Sequence, residues 1–211
     1  MTVQPERIVV ELLSDTTFGR GEGTPGAVDV EVEHDAYGLP MLGGKALRGL
    51  LRDSWLAMQE HFPNLEAAAG RVLGPHGDLA ETAILRISDA EIEEPARGYF
   101  ISAVERPHHP LAPGAVLAAL TEIRSQTSEE RATGAPARTT LRATRVVVRG
   151  IHLVAPLSWL APPAPTDCQC LALAALATRH GGLARNRGRG HLCITLDGLL
   201  ERTRALARGG A

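Results

Sequence analysis

The stretch TDCQCLALAALATRHGGLARNRGRGHLCITL, residues 166–196, predicts a helix, a glycine-rich loop and a strand in direct succession. Alanine and leucine dominate residues 166–180, and Thr166 or Asp167 can serve as the N-cap after a proline-rich segment, which indicates a helix. Apolar residues then alternate with smaller or polar ones over residues 192–196, which indicates a strand. These elements belong to a domain that contains both helices and strands.

The elements upstream complete a recognisable order. A β-branched, apolar run over residues 8–13 predicts a first strand, and leucines at helical spacing predict a helix over about 45–60. Alternating apolar residues predict further strands at 85–87 and near 145–155. The order strand, helix, strand, strand, helix, strand is that of an α+β, ferredoxin-like or RRM-like βαββαβ core with an antiparallel sheet and long insertions.

Length and composition predict one domain over residues 1–211, with an insertion at 95–144 that need not pack in the core. No apolar run is long enough for a membrane helix, and the N-terminus lacks the features of a secretory signal, so we expect a cytoplasmic protein with no membrane partner. The 3 cysteines have neither the count of a disulfide framework nor the spacing of a zinc site.

Charge is distributed unevenly along the chain. The net charge is -2, but residues 1–123 carry 9 basic and 19 acidic side chains, a balance of -10, whereas residues 124–211 carry 13 and 5, a balance of +8. Of the 22 basic residues, 21 are arginine and only Lys45 is lysine. Because guanidinium groups make bidentate contacts with phosphate and stack on bases, this clustering favours binding to nucleic acid.

The glycine-rich loop GGLARNRGRGH, residues 181–191, is the most specific local feature. Glycine allows backbone N–H groups to approach phosphate closely, and arginine supplies positive charge. The loop could also be only a tight turn with solvated arginines, but its place in a βαββαβ order favours RNA binding. The candidate RNA-binding residues here are Gly182, Arg185, Arg187, Gly188, Arg189 and Gly190.

A second candidate RNA-binding element is GLPMLGGKALRGLLRD, residues 38–53, in which a glycine turn opens a helix. Free N–H groups at a helix N-terminus attract phosphate, so Lys45 and Arg48 in the first turn are candidate RNA-binding residues. Arg52 lies further along the helix, where a solvated charge is the expected role.

Acidic residues alternate with valine before this helix, at Asp29, Glu31, Glu33 and Asp35. They could form the exposed face of a short strand, because alternation places them all on one side. They could also form a carboxylate cluster beside RNA, which would repel phosphate unless a divalent cation intervened.

Several segments, in the same order along the chain, resemble the RAMP superfamily, and specifically the guide-binding backbone subunits of type III CRISPR effector complexes. Asp29, Asp35 and the run GGKALRG at 43–49 resemble an acidic loop that leads into a guide-binding helix. The glycine-rich loop at 181–190 resembles the superfamily's hallmark loop. One departure is the Met41-Leu42-Gly43-Gly44 turn before the helix, where relatives commonly have proline, glycine and serine.

The resemblance also implies a thumb-like hairpin, carried here by TEIR at 121–124 and by residues 131–138. In relatives this hairpin wedges between guide and target and flips a base, which implies RNA-binding roles for Arg124, Arg131 and Arg138. Asp29 falls at the family's catalytic aspartate, which implies that it cuts target RNA with Mg²⁺ or Mn²⁺ as a cofactor that it helps to bind.

The leading interpretation is therefore a metal-dependent endoribonuclease subunit that binds guide RNA, assembles with copies of itself or related RAMP subunits, and cuts the target RNA paired to the guide at Asp29. One alternative is a purely structural RNA-binding subunit of the same complex. A guide-processing endoribonuclease is a further alternative, but it would need a histidine-based acid and base near the RNA, and the acidic loop and thumb-like segment argue against it.

Overall fold

The computed structural model describes residues 4–24, 26–74, 83–127, 129–130, 132–135 and 140–210. Within this part of the chain the strands are β1 (Arg7–Leu12), β2 (Leu85–Ile87), β3 (Glu91–Ile92), β4 (Thr121–Gln126), β5 (Arg142–Val147), β6 (His152–Trp159) and β7 (Leu192–Leu196). The α-helices are α1 (Gly44–Leu56), α2 (Glu66–Leu73), α3 (Ala96–Val104), α4 (Pro113–Leu120), α5 (Pro165–Ala177) and α6 (Leu200–Ala207).

The central sheet is antiparallel, with the strand order β2, β6, β1, β7. β1 lies inside it, since Val9 is paired with Val154 of β6 on one side and with Thr195 of β7 on the other. The short β3 also pairs with β6, where Ile92 faces Leu153. Along the chain, β1, α1, β2, β6, α5 and β7 follow one another in the βαββαβ order. The predicted α+β, ferredoxin-like core is confirmed.

Both core helices pack on one face of this sheet. Alternate residues of β1 point to that face, because side chains of a strand alternate between its two sides. They join the apolar faces of the helices in one hydrophobic core, whose members include Ile8, Val10, Leu12, Leu47, Leu51, Trp55 and Leu171. Each large side chain buried in this way contributes about 1.5–3 kcal/mol. α1 ends at Leu56, earlier than predicted, and short 3₁₀ turns follow it.

The strand predicted near 145–155 is in fact two strands. β5 ends at Val147 and β6 begins at His152, with a turn at Gly150, whose φ is +85°. β5 pairs with β4 in a separate two-stranded sheet, whereas β6 belongs to the central sheet. Apolar residues continue on both sides of the turn, with Val146 and Val147 buried before it and Leu153 buried after it, and this conceals the break.

The described residues of the predicted insertion form two helices and a hairpin. α3 and α4 precede β4, which pairs with β5 from Thr121 opposite Val147 to Gln126 opposite Arg142. The base of the hairpin is attached to the segment after β1, since Thr16 and Val147 exchange backbone hydrogen bonds of 3.0 and 2.8 Å. β5 therefore extends the inserted structure three residues beyond the predicted boundary at 144.

The N-cap of α5 also differs from the prediction. Ala164 occupies the N-cap position, and Asp167 accepts a hydrogen bond from the Ala164 N–H at 2.8 Å. The same carboxylate is fully buried and binds Arg71 of α2 through both oxygens, at 2.7 and 2.8 Å. Asp167 therefore joins α2 to the start of α5 as well as stabilising the helix end.

We expect Asp167→Ala to lower the free energy of unfolding by about 1–2 kcal/mol, because the hydrogen bond at the helix end and the ion pair with the half-exposed Arg71 are both lost. Urea denaturation of the purified protein measures this change. Glu201→Ala is the matched control, because Glu201 also binds an arginine, Arg204, but is 81% exposed. Equal losses for the two variants would contradict the role assigned to Asp167.

The cysteines lie in or beside the core. Burial raises the pKa of Cys170 to about 12, and it also raises the pKa of Cys168 and Cys193. They therefore remain protonated thiols at neutral pH. None of the helices in the described ranges is long and apolar enough to cross a membrane.

Candidate nucleic-acid interface

The segment 181–190, here called the arginine loop, connects α5 with β7. Its two ends are held together, because the Gly181 N–H donates to the Gly190 carbonyl at 2.9 Å. The Gly190 N–H in turn donates to the carbonyl of Asp15, just after β1, at 3.0 Å. The ends of the loop are thus fixed to the central sheet, and its middle projects into solvent.

Glycine is required at two positions of the arginine loop. Gly182 has a φ of +79°, and a Cβ there would lie 2.5 Å from the Thr17 carbonyl oxygen. Gly190 has a φ of +70°, and its Cβ would lie 2.0 Å from the Gly181 oxygen. Gly188 also has a positive φ, +76°, but apart from its chain neighbours no described residue lies within 4 Å of the position that a Cβ would take.

We expect Gly190→Ala to destabilise the protein by about 3 kcal/mol or more, because steric overlap with a backbone carbonyl adds to the strain of a positive φ. Gly188→Ala is the matched control, with only the φ strain of about 1–2 kcal/mol. Thermal denaturation of both variants measures the difference. A Gly190→Ala variant as stable as Gly188→Ala would contradict the close approach seen here.

The predicted arginines occupy the middle of the arginine loop. Arg185 and Arg187 are exposed and Arg189 is partly buried. None of the three forms an ion pair with another residue in the described part of the chain. Among the described residues no carboxylate neutralises these three charges in an ion pair, an arrangement that suits a polyanionic ligand.

Two grooves flank the arginine loop. One has a volume of about 460 Å³ and is lined by Ser54, Arg179, His180, Arg185 and Asn186. The His180 ring stacks on the His191 ring, with centroids 5.2 Å apart. The other groove, of about 510 Å³, separates the loop from the hairpin and is lined by Asp15, Glu122, Arg124, Arg149, Gly188 and Arg189.

The structure brings Arg124 of β4 to the same groove as Arg189. Arg124 is already paired, with Asp15 at 2.7 Å and with Glu122 at 2.6 Å. Its hydrogen bond to Asp15 raises the pKa of Arg124, so it stays charged at any physiological pH. The other two arginines predicted for the thumb-like hairpin, Arg131 and Arg138, lie outside the described residues.

Free N–H groups were predicted at the N-terminus of α1, but the first N–H groups there already donate hydrogen bonds. The Gly44 N–H donates to Asp89 at 2.7 Å, and the Gly43 N–H donates to Glu33 at 3.3 Å. Two carboxylates thus occupy the place expected for phosphate. Lys45 is exposed, whereas Arg48 donates a hydrogen bond to the backbone carbonyl of Leu85. RNA contacts by Lys45 and Arg48 remain predictions.

The carboxylates of residues 28–35, here called the acidic segment, do not share one exposed face. Glu31 is only 3% exposed and binds Arg145 of β5 at 2.7 Å. Asp35 binds Arg97 of α3, also at 2.7 Å. The expectation that these carboxylates share one solvent-exposed face or form one cluster is therefore wrong for this segment, because they have separate partners.

Asp29 is exposed and lies against β5. Its backbone N–H donates to the Ala143 carbonyl at 2.8 Å, and its Oδ2 accepts from the Ala143 N–H at 2.7 Å. Oδ1 accepts no hydrogen bond from a described residue, which leaves this oxygen available to a ligand.

The described residues offer a divalent cation the carboxylate of Asp29 but no complete set of protein ligands. Among the described residues, no group of three histidine, cysteine or carboxylate side chains is placed to hold a metal ion. Asp29 supplies one carboxylate oxygen that no described residue hydrogen-bonds, which suits Mg²⁺, because this ion often binds proteins through one or two carboxylates and completes its shell with water and phosphate oxygens.

Sequence reasoning missed Arg145 and Arg97, which hold the acidic segment at its two ends. Arg145 lies 114 residues from Glu31, and Arg97 lies 62 residues from Asp35. An arginine next to valines in a predicted strand is the only local indication that Arg145 points inward.

The comparison with solved structures supports the fold. No family model and no curated protein matches the sequence. Among solved structures, a chain of the type III-B Cmr-beta complex in its apo state has a TM-score of 0.65 and 11% identity, over 93% of this chain and 98% of that one. A chain of the same complex bound to cognate target RNA has a TM-score of 0.64 and 10% identity, over 95% and 99%. The chain therefore has the fold of a protein in a type III-B Cmr-beta complex.

Proposed function

We propose that the chain is a guide-RNA-binding backbone subunit of a type III CRISPR effector complex and that it cleaves the target RNA paired to the guide. The observation that carries the proposal is the likeness of fold over 93% of this chain and 98% of a Cmr-beta chain, a share too large for the βαββαβ core alone. Guide RNA, target RNA and other effector subunits, including copies of this chain or its relatives, are the partners in this proposal.

The distribution of charge supports RNA binding at the arginine loop. Arg185 and Arg187 are exposed and without an ion pair among the described residues, and Arg189 lines a groove that ends at the hairpin. A single strand of RNA that follows this groove passes between the loop and β4. Phosphate contacts of this kind dominate affinity for nucleic acid and weaken as salt rises.

The position of Asp29 supports cleavage. Asp29 is exposed beside β5, the strand of the hairpin that in the proposal splays the target RNA, and its Oδ1 accepts no hydrogen bond from a described residue. The 2′-oxygen of the flipped nucleotide bonds to the adjacent phosphorus and its proton passes to Asp29 or to water. The bond from phosphorus to the 5′-oxygen breaks, and the 5′-oxygen takes a proton from water to become a hydroxyl. Mg²⁺ or Mn²⁺ held by Asp29 would stabilise the charge on the phosphate.

A structural subunit that does not cut is the second candidate. The separate pairing of Glu31 and Asp35 favours it, because neither carboxylate is free to join Asp29 at a metal ion. In this alternative the hairpin and arginine loop still bind RNA, and a sister subunit cleaves the target.

Purification from the native host tests the proposal. We expect the chain to copurify with other subunits and with RNA of uniform guide length, and the complex to cut a complementary RNA, leaving 2′,3′-cyclic phosphate and 5′-hydroxyl ends. RNA of random length, or none, contradicts guide binding. A guide-loaded complex that binds its target without cutting supports the structural subunit.

A further inference from the structure

The ion pair between Arg145 and Glu31 is the most completely buried charge contact of the acidic segment. The Glu31 side chain is 4% exposed and that of Arg145 is 15% exposed. Glu31 also accepts hydrogen bonds from the Val32 N–H at 3.0 Å and from the Thr24 hydroxyl at 3.0 Å. Each carboxylate oxygen therefore has a partner, as a buried charge requires.

Arg145 connects three elements at this point. Its Nε binds Glu31, and its Nη1 donates to the hydroxyl of Thr121, the first residue of β4, at 3.2 Å. Its carbonyl accepts a hydrogen bond from the Thr17 hydroxyl at 2.9 Å, in the segment after β1. One side chain and its backbone thus hold the acidic segment, the hairpin and the end of β1 together.

Backbone hydrogen bonds next to this ion pair hold Asp29 against β5. The Arg145 N–H donates to the Val30 carbonyl at 3.0 Å, and Val30 forms a parallel bridge with Thr144. Asp29 precedes this bridge and exchanges hydrogen bonds with Ala143. Asp29 and Glu31 flank Val30, so a shift of the backbone at Glu31 is transmitted through Val30 to Asp29.

We infer that Arg145 and Glu31 are positioning residues for the proposed cleavage and that their ion pair holds Asp29 in register with the hairpin. The inference rests on the proposed function, since it concerns the geometry of the same site. Neither residue touches RNA in this account. They act through the backbone of residues 29–31, and a misplacement of about 1 Å costs about 100-fold in rate at such a site.

The test compares Arg145→Gln and Glu31→Gln in the assembled, guide-loaded complex. We expect kcat for target cleavage to fall about 10- to 100-fold, while target affinity changes by less than about threefold. The double variant should be no slower than the slower single variant, because the two residues act as one unit. Arg145→Lys keeps the positive charge, so its kcat should fall less than that of Arg145→Gln. This variant still tests the inference if Arg145→Gln fails to assemble.

Arg97→Gln is the matched control. Arg97 also pairs with a carboxylate of the acidic segment, Asp35, at the same 2.7 Å, but this contact is six residues from Asp29. We expect Arg97→Gln to cut within about twofold of the wild-type rate. A loss as large as that of Arg145→Gln would overturn the inference, because any loosening of the segment would then suffice.

Hydrogen exchange supplies a readout that does not depend on activity. We expect amides of residues 29–32 to exchange faster in Arg145→Gln than in the wild type, and at the wild-type rate in Arg97→Gln. Unchanged exchange in Arg145→Gln overturns the inference. If Asp29→Ala is inactive while Arg145→Gln is fully active, the inference is overturned but the proposed cleavage stands. An inactive wild type, or an active Asp29→Ala variant, overturns the proposed cleavage and the inference with it.

Discussion

Asp29→Ala is expected to reduce metal-dependent cleavage of target RNA by about 100-fold or more while guide and target binding stay nearly unchanged. The carboxylate is the group proposed to hold Mg²⁺ or to take the 2′-proton, and such groups contribute about 10²–10⁴-fold. It is exposed and not part of the hydrophobic core, so its removal should leave the fold intact. Cleavage assays of assembled complex with Mg²⁺ or Mn²⁺, together with filter binding, measure both quantities.

Asp29→Asn separates chemistry from structure in this experiment. The amide oxygen can still accept the hydrogen bond that the Ala143 N–H donates at 2.7 Å, but the negative charge is gone. We expect Asp29→Asn to be as inactive as Asp29→Ala. A variant that cuts at the wild-type rate after either substitution would show that this carboxylate takes no part, and the structural-subunit alternative would then stand.

Charge reversal of the arginine loop is expected to release RNA from the purified protein. The variant carries Arg185→Glu, Arg187→Glu and Arg189→Glu, and it replaces three attractions for phosphate with three repulsions. For a single strand, each lost contact should lower the salt slope of binding by about 0.7. Absorbance of copurified RNA and filter binding between about 50 and 200 mM salt measure the loss.

Substitution of the same three arginines by lysine is the matched control. Lysine keeps the positive charge but loses the bidentate geometry of guanidinium, so RNA should be retained with reduced affinity. If the glutamate variant held RNA as tightly as the wild type at physiological salt, the arginine loop would not be the binding element.

Elements of the fold could be predicted from the sequence where the residues that define them are close together in the chain. Residues 166–196 contain their own helix, loop and strand, and the structure places α5 and β7 there. The break between β5 and β6 could not be predicted, since apolar residues lie on both sides of Gly150, with three valines at 146–148 before it and Ile151 and Leu153 after it. Which sheet each strand joins depends on partners at Thr121 and Val9, far away in the sequence.

The site was less predictable because its charges are paired over long distances. Alternation predicted one exposed face for the acidic segment, but Glu31 is buried, since Arg145 compensates its charge. Free N–H groups were expected at the start of α1, where Asp89 and Glu33 accept these hydrogen bonds instead. No local pattern encodes such partners. The arginine loop was predictable because glycine and arginine are needed within a few residues of each other.

The hydrogen bond between Gly181 and Gly190 has a consequence for the thermodynamics of ligand binding. Closing a loop costs conformational entropy. In the folded protein the two ends of the arginine loop are already held together, so a ligand does not have to close the loop. A polyanion that binds at Arg185 and Arg187 has mainly their side chains left to order, at about 1.5–2 kcal/mol each. More of the attraction between guanidinium and phosphate then appears as net affinity, which is the effect of preorganisation.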